Sequence, residues 1–392
     1  MKFIKKKISE LSIELIDGDR GKNYPKKNEF LNKGNCVFLN AKNVTSNDFC
    51  FEEINFITKE KDKLLNNGKL KRKDIVLTTR GTVGNVAYYS EKIPFECMRI
   101  NSGMIIIRCQ NSINEKYIYW YMRTKQFKNQ IKELQTGSAQ PQLPLSIIKN
   151  MVINICNMKN QNKIVYILDK IQEKINLNTH INNNLYEIMK LNFNQWVENL
   201  KDYELSNLSS IAYYKNGLAM QKYRPLNELG LPVIKIKEMN SGISSETEKC
   251  KSNIDKDVIV NNGDVLFAWS GTLCMTIWSG GKAGLNQHIF KVTSDKYPKW
   301  FYYFWTLKYL DNFIQIAAGK ATTMGHIKRG ELDSSEVLIP NENELKKMNN
   351  IMAPMLDKYI SNKVENEMLI KLRDTLLPKL MNGEIDLDKI EI

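Results

Sequence analysis

Short apolar runs bounded by Gly, Asn and Pro dominate the first part of the chain, up to Cys109. The clearest occupy residues 37–39, 74–79, 86–89 and 104–107. Runs of this length between turn residues are typical of β-strands. From Tyr117 to Leu134 the apolar residues recur at helical spacing instead. The pattern therefore predicts a globular unit of the α/β (α+β) class, with a compact mixed sheet followed by a helix over residues 117–134.

A strand and a long helical pattern follow this unit. Residues 151–155 are apolar and predict a strand, and a helical pattern of some 35 residues begins at Asn162. Its apolar positions fall on a 3.5-residue repeat, typical of a coiled coil: Ile164, Leu168, Ile171 and Ile175. Asn178 and Asn182 continue the repeat, and buried Asn at such positions weakens a seam but fixes its register.

A second long helix is predicted near the C-terminus, after a strand at residues 337–340. Its apolar positions drift between 3.5 and 3.6 residues, and Pro354 is expected to kink or shorten its first turns. About 33 residues at ~1.5 Å each give a helix of about 50 Å. The simplest arrangement pairs the two helices antiparallel. The alternative is two unrelated amphipathic surface helices.

The second half of the chain repeats the order of the first. Five blocks match in register, at a spacing that decreases only slightly along the chain: 38–42 with 233–237, 72–82 with 262–272, 101–105 with 286–290, 118–122 with 300–304, and Gly137 with Gly319. Such agreement indicates a tandem duplication. We therefore predict globular domains at residues 1–157 and 200–342 and long helices at residues 158–199 and 343–392. The two helices would form an antiparallel coiled coil that joins the domains in a pseudo-two-fold arrangement.

The charge balance favours a polyanionic partner. The formal net charge is +14 and the pI is near 9.2, which suits nucleic acid, although Lys- and Asn-rich sequences also arise from AT-rich genomes. No apolar run approaches the ~20 residues that span a membrane, and the start of the chain does not resemble a signal peptide. Seven scattered cysteines suit a reducing cytoplasm and argue against a disulfide framework.

The motifs expected of an enzyme are missing from the sequence. Neither late Gly-Lys pair continues into a phosphate-binding loop, because Ala follows both. No Asn-Pro-Pro-Tyr or Cys-x2-Cys motif occurs. The three histidines are far apart: His180 is expected on a solvated helix face, and His288 and His326 in repeated loops. We therefore predict a non-catalytic chain that holds no metal and no cofactor.

Several loops have the composition of DNA-reading segments, although each alone could be an ordinary Gly/Asn turn. Arg reads guanine, Asn and Gln read adenine, and Ser, Thr and backbone N–H groups bind phosphates. The candidate DNA-binding residues are Arg20, Lys22, Thr79, Arg80, Gly81, Thr82, Asn101, Ser102, Ser138, Gln140 and Gln142 in the first repeat, and Ser270, Gly271, Thr272, Asn286, Gln287, His288, Lys320, Thr322 and Thr323 in the second.

Matched loops carry different polar residues in the two repeats. Ser270 stands for Arg80, Gln287-His288 for Ser102-Gly103, and Thr322-Thr323-Met324 for Gln140-Pro141-Gln142. A protein that recognises two different half-sites of DNA requires one scaffold with two different sets of polar side chains.

Two segments resemble a known family. One is Gly137-Ser138-Ala139-Gln140-Pro141-Gln142-Leu143 with the strand and long helix that follow, and the other is the closing run 372–385, Leu-Arg-Asp-Thr-Leu-Leu-Pro-Lys-Leu-Met-Asn-Gly-Glu-Ile. With the two-repeat layout they resemble the specificity subunit of type I restriction–modification systems. The loop at 319–325 departs from this pattern because it lacks Pro-Gln.

The resemblance implies two target-recognition domains that grip a bipartite double-stranded DNA site, with the paired helices as a spacer. A 50 Å spacer corresponds to about one and a half turns of DNA at ~34–36 Å per turn. It also implies two adenine-methyltransferase subunits docked on the helices, with restriction subunits joining them. S-adenosylmethionine, ATP and Mg2+ would then be bound by those partners. The alternatives are a methyltransferase or nuclease with an unrecognised site, and a scaffold that does not bind DNA.

Overall fold

The fold was determined as a computed structural model, which describes residues 3–137, 141–226, 229–319 and 325–387. The chain divides into two compact units, Met1–Gln172 with Lys371–Ile392, and Glu173–Ile370. Each unit contains one globular repeat and a part of both long helices. None of the helices in the described ranges combines the length and apolarity that crossing a membrane requires.

In the described residues of the first repeat there are eleven strands and four short α-helices, and a long helix follows. The strands are β1 (Ile4–Lys7), β2 (Ile13–Asp17), β3 (Cys36–Phe38), β4 (Val44–Thr45), β5 (Asp48–Phe49), β6 (Phe56–Ile57), β7 (Ile75–Thr78), β8 (Val86–Tyr88), β9 (Met98–Arg99), β10 (Met104–Cys109) and β11 (Val152–Ile155). The helices are α1 (Lys59–Leu64), α2 (Glu115–Met122), α3 (Lys125–Leu134), α4 (Leu145–Asn150) and α5 (Met158–Asn199).

The central sheet of the first repeat is antiparallel, in the order β2-β10-β7-β8. Its strand β7 is buried along its whole length and apolar from Ile75 to Leu77, because both faces of the sheet are covered. Ile75 and Leu77 pack in one core with the aromatic helix α2, and Val76 packs in another with β3, as the two-residue period of a strand requires. The predicted single mixed sheet is instead divided, since β6-β3-β9 form a separate sheet in which β3 and β9 run parallel.

The central sheet of the second repeat has the same topology as that of the first, as the spacing of the sequence blocks predicts, whereas the sheet that contains the parallel strand pair has four strands instead of three. Its strands are β12 (Tyr203–Asn207), β13 (Tyr213–Asn216), β14 (Leu231–Ile234), β15 (Lys249–Cys250), β16 (Ile259–Val260), β17 (Val265–Ala268), β18 (Cys274–Ile277), β19 (Ala283–Leu285), β20 (Ile289–Thr293) and β21 (Glu336–Pro340). Its helices are α6 (Leu208–Ile211), α7 (Ile236–Ser241), α8 (Lys299–Lys308), α9 (Leu310–Gly319), α10 (Arg329–Asp333) and α11 (Glu342–Asn382). The central sheet has the order β13-β20-β17-β18. Phe267 pairs with Phe290 as Leu77 pairs with Ile105.

Two consecutive helices follow the central sheet in each repeat. The prediction of one helix over residues 117–134 is wrong, because the chain turns between α2 and α3. The Thr124 hydroxyl accepts a hydrogen bond from the Phe127 N–H (3.1 Å), and such a cap begins a new helix. The sequence pattern did not reveal the break because Phe127 and Ile131 continue the apolar spacing on the far side of the turn.

The two long helices pair antiparallel, as predicted. In the unit Glu173–Ile370, Asn178 donates to the Glu365 carboxylate (2.7 Å) and Asn182 donates to the Tyr359 carbonyl (3.0 Å), so the contacts move backwards along α11. In the other unit, the Arg373 guanidinium donates to Gln172 (2.8 Å). Asn178 and Asn182 are 1% and 6% exposed, which confirms their predicted place in the seam.

Helix α5 has the bounds 158–199 predicted for the first long helix, and α11 begins one residue before the predicted 343; with 42 and 41 residues, both extend beyond the periodic pattern of some 35 residues. Pro354 does not end α11, which continues without interruption through that position. The extra turns at the start of α5 and the end of α11 belong to the first unit, where Ile164 and Leu168 share a core with Leu377 and Leu380.

Cys36 and Cys97 form a disulfide between the parallel strand β3 and the residue preceding β9. The scattered cysteines argued against a disulfide framework, and they did not predict this single bond. The two residues are 61 positions apart, so only the pairing of the strands brings them together. Asp62 lies beside them and accepts hydrogen bonds from Arg99 (2.6 Å) and Lys69 (2.5 Å).

Candidate nucleic-acid interface

Four loops predicted to bind DNA come together at one end of the central sheet in the first repeat. We call this surface the first tip; it comprises residues 17–22, 79–82, 101–103 and the described part of 136–142. The Gly103 carbonyl accepts hydrogen bonds from the N–H groups of Thr79 (2.7 Å) and Arg80 (3.2 Å), and the Leu143 N–H donates to the Thr79 carbonyl (3.0 Å). Arg80 also pairs with Gln142 in an antiparallel bridge. The first tip is therefore held by main-chain bonds.

Two glycines allow the backbone of the first tip to take its shape. Gly81 adopts a positive φ of 74°, where other residues are strained. A Cβ atom at Gly18 would overlap the Asn101 carbonyl, so the segment 17–22 reaches the loop 101–103 only because residue 18 has no side chain. The Arg20 guanidinium then reaches the Ser102 carbonyl (3.4 Å).

Asp19 anchors the segment 17–22, although it is not among the candidates predicted from the sequence. Its side chain is almost buried and accepts hydrogen bonds from the N–H groups of Gly21 (2.9 Å) and Asn66 (2.7 Å). These bonds, above all the one from Gly21, hold the pKa of Asp19 below its ordinary value. The carboxylate stays ionised and fixes the loop that carries Arg20 and Lys22. The sequence contains a signal for this role, because an Asp two residues before a Gly often accepts a main-chain hydrogen bond within a turn.

The first tip encloses a cleft of about 300 Å³ that offers groups of both hydrogen-bonding kinds. Its polar lining comprises Asp17, Arg20, Thr79, Arg80, Gln142 and Ser146. Asp17 and Arg20 form an ion pair (2.9 Å). The exposed Arg80 guanidinium has neither a hydrogen bond nor an ion pair with the described residues, so it is free to donate two parallel bonds to a ligand.

The second repeat builds the equivalent surface with the same main-chain bonds. We call it the second tip; it comprises residues 269–272, 286–288 and 325–327. The Trp269 N–H donates to the His288 carbonyl (3.2 Å), and the Ile327 N–H donates to the Trp269 carbonyl (3.1 Å). Ser270 pairs with His326 in an antiparallel bridge. The equivalent positions are Thr79 and Trp269, Arg80 and Ser270, Gly103 and His288, Gln142 and His326, and Leu143 and Ile327.

The two tips offer different chemistry on one backbone. At the second tip the Trp269 ring lies 6.1 Å from the His288 ring and 6.4 Å from the His326 ring. The His288 Nδ1 atom is buried and has no hydrogen-bond partner among the described residues. The adjoining cleft of about 380 Å³ is lined largely by small and apolar residues, including Ile314 and Ala317. Imidazole, indole and amide groups thus replace the guanidinium of the first tip.

The structure brings together fifteen of the twenty candidate residues at the two tips. Five others lie outside the described residues: Ser138, Gln140, Lys320, Thr322 and Thr323. Within the tips, the side chains of Thr79 and Ser270 are almost fully buried, since both residues are 5% exposed. These two side chains therefore expose little surface to a ligand.

The structural counterpart of Gln142 is His326, which the sequence did not predict. The sequence match of Gln140-Pro141-Gln142 with Thr322-Thr323-Met324 assumes that the spacing between Gly137 and Gly319 holds through the whole loop. For Gln142 this assumption gives the wrong counterpart. The antiparallel bridges Arg80–Gln142 and Ser270–His326 pair Gln142 with a later position, because the two loops differ in length. An alignment of Leu143 with Ile327, the first apolar residue after each loop, places His326 opposite Gln142.

The fold and the two tips define a protein with two recognition domains of one kind in tandem, each presenting its own set of polar side chains. The chain belongs to the family described as type I restriction modification DNA specificity domain, whose model matches residues 5–187 and 200–373. The resemblance noted in the sequence is thereby confirmed.

Relatives of the chain are named as specificity subunits of type I restriction enzymes. The chain is 24% identical to the type I restriction enzyme MjaIX specificity subunit of Methanocaldococcus jannaschii, over 81% of this chain and 78% of that one. It is 20% identical to the HindI specificity subunit of Haemophilus influenzae, over 94% and 98% of the two chains. The crystal structure of a type I restriction–modification S subunit from M. genitalium matches with a TM-score of 0.60 and 14% identity, covering 97% of this chain and 96% of that one. It supports the two-repeat fold.

Proposed function

We propose that this chain is the sequence-specific DNA-binding subunit of a type I restriction–modification complex and that each tip reads one half of a bipartite site. The observation that carries the proposal is the pair of equivalent tips. Main-chain bonds hold both in the same way, while the side chains at positions 80 and 270, 103 and 288, and 142 and 326 differ in chemistry. A protein that reads two different half-sites needs this combination.

At the first tip we assign to Arg80 a contact with a DNA base and to most of its neighbours contacts with the DNA phosphate backbone. A free guanidinium beside a cleft suits the O6 and N7 atoms of guanine, and the Gln142 amide suits adenine. Arg20, Lys22, Thr82, Asn101 and Ser102 border the same surface and suit phosphates or base edges. At the second tip, Thr272, Asn286, Gln287 and His288 take the corresponding places. The residues outside the described ranges, Ser138, Gln140, Lys320, Thr322 and Thr323, complete the assignment.

The long helices are the proposed docking site for two methyltransferase subunits, with restriction subunits joining the complex. In the unit Glu173–Ile370, α5 exposes Leu177 (53%), Ile188 (47%) and Leu191 (59%). These positions lie within about 60° of one another around a helix of ~3.6 residues per turn. An apolar stripe opposite the buried seam suits a protein partner. We propose that residues 1–157 and 200–342 are the recognition domains and that residues 158–199 and 343–392 are the spacer helices.

The catalytic steps are assigned to the partners. We propose that S-adenosylmethionine, ATP and Mg2+ bind to the methyltransferase and restriction subunits and that this chain, acting on genomic DNA in the cytoplasm, catalyses neither methylation nor cleavage. A purified chain incubated with S-adenosylmethionine and DNA should transfer no methyl groups. Robust transfer by the chain alone would instead identify it as a methyltransferase.

A domain exchange tests the recognition role directly. Methylated adenines are first mapped in the host genome with and without the gene, which gives the bipartite sequence. Residues 1–157 are then replaced by those of a relative, and the matched control replaces residues 200–342. We expect each exchange to change one half of the methylated sequence and leave the other half unchanged. Unchanged methylation after both exchanges would identify the chain as a scaffold.

A further inference from the structure

One face of α3 carries a row of lysines beside the first tip. Lys125, Lys128 and Lys132 are spaced by three and four residues, so their side chains share one side of the helix. All three are exposed, and none forms an ion pair with the described residues. The opposite side of α3 is buried through Phe127 and Ile131, which fixes the direction in which the lysines point.

This row lies at the entrance of the loop that carries Gln142. Helix α3 ends at Leu134, and two residues later Thr136 exchanges two main-chain hydrogen bonds with Gln142 (2.9 and 2.8 Å). Gln142 in turn pairs with Arg80. From Lys125 to Lys132 the helix rises roughly 10 Å, which is the rise of about three nucleotides along one DNA strand.

The surroundings of the row are positively charged. The pKa of Lys128 lies below its ordinary value, first because partial burial desolvates its ammonium group and then because Arg123 adds like charge; Asp374 raises the pKa, and Arg373 and Lys132 lower it further. Three of the four charged groups that act on Lys128 are cations, and a surface with such an excess of positive charge suits a polyanion.

The equivalent helix of the second repeat has no such row. Phe313 and Ala317 of α9 are buried as Phe127 and Ile131 are, which aligns the two helices. In this alignment Asp311, Ile314 and Ala318 occupy the positions of Lys125, Lys128 and Lys132. Ile314 is 42% exposed, so an apolar side chain stands where the first repeat presents an ammonium group.

The charge of the whole domains follows the same division. Residues 1–157 contain 27 Lys and Arg against 15 Asp and Glu, and residues 200–342 contain 17 against 15. The basic excess of the chain therefore belongs mainly to the first recognition domain. Because phosphate contacts with cations determine the salt dependence of DNA binding, the two domains should differ in this property.

We propose that the lysine row of α3 binds the DNA phosphate backbone beside the first half-site and supplies much of the salt-dependent affinity of the chain, whereas the second domain binds with little electrostatic assistance. This inference rests on the proposed DNA-binding function. It adds an anchoring surface and an asymmetry between the two domains that the equivalence of the tips does not imply.

The test compares variants of the full-length chain on a 40-base-pair duplex of arbitrary sequence, at KCl concentrations from about 50 to 200 mM. The first variant is K125Q/K128Q/K132Q. The charge-preserving variant is K125R/K128R/K132R. The matched control, K222Q/K251Q/K256Q, removes three exposed lysines from the second domain. Far-ultraviolet circular dichroism checks that each variant is folded.

We expect the first variant to reduce the slope of log K against log [KCl] by about 2–3, because each lost phosphate contact removes ~0.9. The arginine variant should keep the wild-type slope, and the control should change it by less than about 1. Equal reductions in the first variant and the control would overturn the proposal, because net charge alone would then explain both.

Two other results have separate meanings. If the first variant keeps both the wild-type slope and its affinity for the duplex, the row does not bind DNA and the proposal fails, whereas the proposed function stands. In that case, weaker assembly with the methyltransferase would assign the lysines to an acidic protein surface. If the wild-type chain does not bind any duplex at about 50 mM KCl, the proposed function itself fails.

Discussion

Single residues distinguish the two tips, because their backbones are held alike. Arg80 presents a free guanidinium, whereas the equivalent Ser270 is 5% exposed. Gln142 presents an amide where the second tip has the imidazole of His326. The consequences of changing these residues should therefore be confined to one half-site.

Replacing Arg80 with Ala should weaken binding to the first half-site by ~1–3 kcal/mol if the guanidinium binds guanine through two hydrogen bonds. Arg80→Lys should recover little of this loss, because an ammonium group cannot make the paired contact. The measurement is the affinity of the complex for duplexes substituted in one half-site at a time, with Ser270→Ala as the control. A uniform loss across all sequences would make Arg80 a phosphate contact.

Replacing His326 with Gln should change the base preference of the second half-site and leave the first unaltered. The substitution gives the second tip the side chain that the first has at the equivalent position. We expect a change in preference worth ~1–3 kcal/mol at one base pair, measured by methylation of a library randomised in each half-site. A change of preference in the first half-site would contradict the equivalence of Gln142 and His326.

Replacing Asp19 with Ala should loosen the segment 17–22 and destabilise the protein by about 1–2 kcal/mol at neutral pH, since the carboxylate accepts two main-chain bonds. Its pKa is lowered by folding. The contribution is therefore complete above the ordinary pKa of 3.8 and is lost as pH falls through the lower folded value. Urea unfolding at pH 7 and pH 3 should show the difference from wild type at pH 7 and a smaller one at pH 3. A difference that grows on acidification would contradict this account.

Among the elements, the helix pair combines an apolar seam with buried amides. The Asn362 side chain is fully buried, and its amide donates to the Asn182 side chain (3.0 Å). Its own carbonyl oxygen has no partner among the described residues. Such a layer costs stability and specifies one register.

The single substitution Asn182→Leu should destabilise the helix pair by ~1–3 kcal/mol, because it leaves the buried Asn362 amide without its acceptor. The double substitution Asn182→Leu with Asn362→Leu should be more stable than the single variant, since neither partner then remains unpaired. Urea unfolding of the wild type, both single variants and the double variant gives the coupling energy. Additive effects would show that the two amides do not act as a pair.

Periodicity predicted the strands, the long helices and the duplication because those features follow from which residues are buried. It did not predict the break before α3, where the Thr124 cap outweighs a continuous apolar spacing. The Cys36–Cys97 disulfide and the pairing of Gln142 with Arg80 depend on contacts between residues distant in sequence. The candidate loops follow from composition, whereas the main-chain contacts that place His326 and Asp19 are not visible in composition.

At the scale of the whole molecule, each repeat has its own aromatic core. The second is built around Trp300, Phe301 and Trp305, and the first around Tyr117, Trp120 and Phe127. Within the described residues the two cores share no side chain. Damage to one core should therefore affect one half-site first.

Replacing the fully buried Phe267 with Ala should destabilise the second repeat by ~3–5 kcal/mol. We expect a larger loss of binding at the second half-site than at the first, measured below the unfolding temperature on duplexes that carry one intact half-site. Leu77→Ala, at the equivalent strand position, is the matched control and should have the opposite preference. Equal losses at both half-sites from each variant would contradict independent cores.

The main-chain bonds that hold each tip have a consequence for inheritance. Because Gly103 and His288 accept their bonds through carbonyl groups, these bonds do not require particular side chains at positions 80, 142, 288 and 326. Point mutations there are expected to alter the recognised sequence at little cost in stability. Recombination that transfers a tip between repeats, or between lineages, would deliver a new target in one event.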